Sequence, residues 1–119
     1  MAKRSRRKEK LLAPSSDYSD AEGNVITLRG SLSPASRVEY ARALTGEGRP
    51  AAAREDIWHR AVEFLFERLA VRWEIAGVPV ERQRELLTRL RMASPEERAW
   101  IRTVLREHCA EHFPDVRAP

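Results

Sequence analysis

Five consecutive residues, His108-Cys109-Ala110-Glu111-His112, set two histidines four apart with a glutamate just before the second. On a helix this spacing turns both imidazoles to one face. There they can ligate zinc while the glutamate acts as base, the H-x-x-E-H pattern of one group of metallopeptidases. A working catalytic zinc also needs a third protein ligand and an open position, and in those enzymes the third ligand lies well downstream. Here only seven residues follow His112. The favoured reading is structural. His108 joins an apolar helix stripe, and His112 sits at the helix end, where a cation suits the macrodipole. A weaker zinc site of His108, His112 and Cys109 is the alternative. The expectation is no catalytic residue, no bound metal and no cofactor.

Arg98, Arg102 and Arg106 form a second constellation, a row spaced four apart. Like charges at that spacing repel by roughly 0.2–0.5 kcal/mol per pair, so something must compensate them. They could meet phosphates, helped by Arg82, Arg84, Arg89 and Arg91. The favoured expectation is instead interhelical bridging to an acidic stripe of Glu63, Glu67 and Glu74. Trp58, Trp73 and Trp100 fall on or beside apolar stripes and are expected mainly in the core, with a partner surface as the lesser reading.

The third constellation is the N-terminal arm. Lys3, Arg4, Arg6, Arg7, Lys8 and Lys10 face one acid, Glu9, for a net +5, whereas residues 11–119 carry 16 basic and 17 acidic side chains. The whole-chain charge of +4 thus describes a tail on a near-neutral body. Such a tail touches phosphates of RNA, DNA or a ribosome-like surface through salt-sensitive contacts, or only keeps the protein in solution. Anionic lipid ranks lower, since no apolar helix or lipidation motif accompanies the charge. No aromatic is interleaved with the tail's basic residues, so the tail gives no support for base stacking.

Other chemistry is not signalled. The sequence has no Gly-rich phosphate loop, no G-x-S-x-G and no C-x-x-C. No small-molecule substrate follows from it. At 119 residues, one domain with a real core is expected. Nineteen of the 22 basic residues are arginine, a bias that GC-rich coding also produces, so arginine alone is no functional flag. The single cysteine fits a reducing compartment. Leu11, Leu12 and Ala13 are too short a run before Pro14 for a signal-peptide core, and no run reaches membrane-spanning length. A cytoplasmic setting without membrane contact is expected.

The elements that must position these residues read as helices. Residues 1–22 read as a flexible basic and polar tail, and 23–119 as one helical domain. Gly23-Asn24 signals a turn before a short β-prone run, Val25 to Leu28, with no second strand evident. That run is expected to lie extended over the helices, or to pair with another chain. Ser33-Pro34 starts a helix over 34–45, stopped by Gly46. A long central helix is read over 52–76, because apolar residues cover most of its circumference. A third helix spans 79–92. Ser94-Pro95-Glu96-Glu97 carries a capping-box pattern that opens a fourth, reaching His112. Phe64 and Phe66 point to different sides of the central helix, so a homodimer seam along it is a fair expectation.

The stretches Asp17 to Leu32 (DYSDAEGNVITLRGSL) and Val62 to Pro79 (VEFLFERLAVRWEIAGVP) resemble parts of small uncharacterised proteins of GC-rich actinobacteria. The resemblance spans most of the chain and implies no activity. The sequence thus points to an all-α, four-helix bundle with one long central helix, preceded by a short extended segment and the basic arm. Its expected function is non-enzymatic. The helical body binds a protein partner or a second copy of itself, and the arm contacts an anionic partner such as RNA or DNA. A small zinc protein or hydrolase using the C-terminal histidines is the alternative.

Overall fold

A computed structural model describes residues 14–46 and 53–119. Four strands and four helices follow in the order β1 (Ser16–Ser19), β2 (Val25–Leu28), α1 (Pro34–Thr45), α2 (Arg54–Leu69), β3 (Ala70–Ile75), β4 (Val78–Val80), α3 (Gln83–Arg91) and α4 (Pro95–His112). The strands make one antiparallel sheet in sequence order, with α1 and α2 inserted between β2 and β3. The fold is therefore mixed α and β, not the all-α bundle expected.

The largest departure lies in the expected central helix. Helix α2 stops at Leu69, and the chain continues directly into β3. From Val71 to Ile75 apolar and polar residues alternate, with Val, Trp and Ile on the apolar beats. That is the period of a strand with two unlike faces. The apparent all-round apolarity of the long helix came from adding a helix stripe to a strand face. The switch is fixed by β2, since the Arg29 amide donates to the Leu69 carbonyl at 2.8 Å. A register shift opposite Thr27 and Leu28 takes up Val71 as a β-bulge.

Residues Ala76 and Gly77 join β3 to β4 as a two-residue hairpin, with φ of 50° and 80°. Both values lie in the left-handed region, as a turn matching strand twist requires. The Asn24 side chain accepts from the Ala76 amide at 3.0 Å, tying the neighbouring turn to this one. Because β4 takes residues 78–80, the third helix begins only at Gln83.

The expected lone strand is paired on both sides. Strand β1 lies inside the stretch assigned to the tail, with Tyr18 opposite Ile26 and Ser16 opposite Leu28. Its return turn is held by Asp20, whose Oδ1 accepts from the Glu22 and Asn24 amides while Oδ2 accepts from the Asn24 side chain.

Two helices form as their caps predict. Ser33 accepts from the Ser36 amide at the start of α1, and Gly46 closes it at φ 67°. A Cβ on Gly46 would stand 2.8 Å from Ile57 Cδ1, so the small residue also lets α2 pack close. Ser94 and Glu97 complete a reciprocal capping box on α4.

The helices cover one face of the sheet. Trp73, only 1% exposed, lies across from Ile26 and Val80 and meets Phe66 edge-to-face at 5.8 Å. Phe64, half-buried on another side of α2, lies 6.1 Å from Tyr40. Within the chain Phe66 is fully covered and Phe64 only in part. Tyr40 donates to the Arg117 carbonyl, and Phe113 and Val116 are buried, so the C-terminal segment closes the core. Among the described residues, no helix is long and apolar enough to cross a membrane.

Candidate functional site

The C-terminal histidines lie on the last two turns of α4, where β1 crosses it. His108 is fully buried. Its Nε2 is 2.6 Å from the Arg29 carbonyl, which can only accept, so Nε2 carries the proton. Burial holds His108 below its ordinary pKa, assisted by nearby His112 and opposed by the Arg29 carbonyl and Glu111. The ring is thus neutral near pH 7, and Nδ1 accepts from the Tyr18 hydroxyl at 2.8 Å. Burial raises the Tyr18 pKa, with Glu111 and Glu107 adding to it. His112 Nε2 stands 3.2 Å from Ser16 Oγ, and its ring centroid is 4.4 Å from that of His108.

This geometry does not assemble the zinc reading. Both His108 nitrogens are committed to protein partners. Cys109 is buried, and its thiol is pushed up to about 11 by that burial, far from the thiolate a metal or electrophile needs. Among the described residues no group of three or more His, Cys, Asp or Glu side chains is placed to hold a metal ion. Ser16 and His112 form a hydroxyl–imidazole pair, but no carboxylate orients the ring from its other side among the described residues. The cluster works as a polar clasp between the edge strand β1 and α4.

The arginine row has different surroundings from those expected. Glu63 bonds Arg91 of α3 at 2.9 Å. Glu74 is on β3 and lies near Arg72 at 4.0 Å, while the Glu67 backbone carbonyl takes a bond from Gln83. None of the three acids reaches the row. Arg98 donates to the Arg91 carbonyl instead. The Arg102 guanidinium lies 5.8 Å from the Trp58 ring centroid, and its Nε is out of solvent with no hydrogen-bond partner. Arg106 is exposed, with no carboxylate within ion-pair distance among the described residues.

Trp58 departs most from its expected place. Trp73 is buried and Trp100 half-buried, but Trp58 is 41% exposed. It stands on α2 facing the row on α4, with Arg54 5.9 Å from the same ring centroid. Among the described residues, neither Arg54 nor Arg102 has a carboxylate within ion-pair distance. Around Trp58 runs an open groove of about 570 Å³, with Val62, Leu90, Pro95 and Ala99 as its apolar floor. His59, Arg91, Arg98 and Arg102 line it beside Glu55 and Glu63, and Arg91 already satisfies Glu63.

The chain matches no family model, no curated protein and no solved structure. Function must therefore be argued from this geometry alone.

A second cavity of about 550 Å³ opens at the start of α1, lined by Arg29, Ser31, Ser33, Ser36 and Arg68 but also by Glu67 and Glu81. Arg68 is already paired with Glu39 there. The basic arm, Lys3, Arg4, Arg6, Arg7, Lys8 and Lys10, lies outside the described residues. Sequence reasoning missed the groove because Arg54 and Trp58 are forty or more positions from the row. One local signal was available: Arg54 and Trp58 are four apart on one helix face.

Proposed function

We propose that this protein is a non-enzymatic binding module for a nucleic acid strand, held by the α2–α4 face and the basic arm together. One observation carries the reading. Among the described residues, Arg54, Arg102 and Arg106 have no carboxylate within ion-pair distance and Arg98 is bonded only to a carbonyl, and Arg54, Arg98 and Arg102 gather around Trp58 although the body as a whole carries slightly more acids than bases. Charge balance was within reach of this composition, and the α2–α4 face lacks it. Two guanidiniums near one indole repel each other, and an anion between them relieves that repulsion. The row runs roughly 12 Å along α4, at about 1.5 Å per residue, a span suited to successive phosphates. The arm adds six cations.

A salt series tests this. Binding of a labelled oligouridylate is measured by anisotropy between low and moderate salt. The proteins are the native chain, a chain with Arg98, Arg102 and Arg106 all changed to Gln, and a chain with the six arm cations changed to Gln. Each lost single-strand phosphate contact lowers the slope of log affinity on log salt by about 0.7. The row variant should lose about 2 in slope and bind more weakly at every salt. Unchanged affinity and slope in the row variant would overturn the assignment of the α2–α4 face.

A further inference from the structure

The geometry points to Trp58 as a stacking platform for an unpaired base, which makes the ligand single-stranded RNA or DNA rather than a duplex. This rests on the nucleic-acid reading above and adds the form of the ligand. The apolar floor and the exposed indole have no role in gripping phosphates. A duplex presents its phosphates outward and hides its base faces, so arginines alone would serve it. A single strand offers bases with free faces, which aromatic side chains and guanidinium planes can stack against.

Trp58 has the exposure to accept one, at 41%. It has the setting as well, with Arg54 and Arg102 within 6 Å of its ring centroid. The groove beside it, about 570 Å³, has room for a base against Val62, Leu90 and Ala99. Phosphates on either side of the stacked base would meet Arg98 and Arg54.

The test compares a single-stranded oligonucleotide, a duplex of the same length and a polyglutamate peptide, each titrated into the full chain. Trp58→Ala should weaken single-strand binding by roughly 5- to 150-fold, the range for loss of one base–aromatic stack. Trp58→Phe should keep most of the affinity, and the duplex should bind both variants like the native chain. Circular dichroism melts confirm that both variants are folded. If Trp58→Ala binds the single strand as the native chain does while the arginine variant remains impaired, the stacking site fails and the phosphate reading stands. If neither nucleic acid binds, or the peptide binds better than both, the two readings fail together.

Discussion

Tyr18 and His108 share one hydrogen bond across the contact between β1 and α4, and each needs the other. Tyr18→Phe leaves His108 Nδ1 buried with no donor. The expected cost is about 1–3 kcal/mol, the penalty of an unsatisfied buried acceptor, read from urea unfolding. The same histidine sets a pH dependence. Its native pKa lies below the unfolded value of 6.5, so between the two the unfolded chain binds more protons. Its contribution is complete above pH 6.5 and is lost as pH falls through the native pKa, with a slope of at most about 1.4 kcal/mol per pH unit. Unfolding at pH 7.5, 6.5 and 5.5 should show this decline in the native chain. His108→Gln, which lacks the titrating group, should show less of it. Equal slopes in the two proteins would contradict the buried neutral ring. Asp20 and Glu97 act in a separate, more acid window. Burial raises Asp20, but the bonds from Asn24 and Glu22 outweigh it, and the Ser94 amide, ahead of Arg89, lowers Glu97.

At the scale of elements, the β3–β4 hairpin turns on Ala76 and Gly77. A Cβ at Gly77 meets nothing within 4 Å, so Gly77→Ala tests backbone conformation without crowding. The left-handed region costs an alanine about 1–2 kcal/mol, and thermal or urea unfolding should show a loss of that size. An unchanged midpoint would mean that the turn is not as described. This hairpin also marks where sequence reasoning stopped. Helices α1 and α4 were legible because serine caps, prolines and Gly46 sit within a few residues of the groups they satisfy. Strand β2 was legible from Val25 to Leu28 for the same local reason. Strand β3 was not, because Val71, Trp73 and Ile75 extend an apolar pattern that a helix at Leu69 has already begun. Only pairing with β2, more than forty residues away, decides between the two periods. Strand β1 was hidden by its own composition, since Ser16, Asp17 and Ser19 bury little and are held by partners on β2 and α4. In the same way, the row Arg98, Arg102 and Arg106 could be read from spacing. That the expected acids do not pair with it could not, because Glu63 and Glu74 find other arginines in three dimensions.

For the whole molecule, the sheet and its helices make a body in which some arginines are paired with acids across the chain, while those gathered around Trp58 are not. Arg37 with Asp115, Arg68 with Glu39, Arg89 with Glu97 and Arg91 with Glu63 are paired across the chain. Exposed pairs of this kind add little stability, typically 0–1 kcal/mol each, so their main effect is on where net charge remains. Arg54 and Arg102 beside Trp58 stand outside these pairs, and the arm is basic by sequence. Neutralising the six arm cations should therefore weaken oligouridylate binding and lower its salt slope while leaving the unfolding midpoint unchanged. A change in both would tie the arm to the fold. The most direct test of where the strand sits uses the three indole N–H resonances in a 15N spectrum. Titration with a single-stranded oligonucleotide should shift Trp58 progressively to saturation while buried Trp73 stays in place and half-buried Trp100 moves little. A Trp58 resonance that does not move when the complex is saturated would contradict the account.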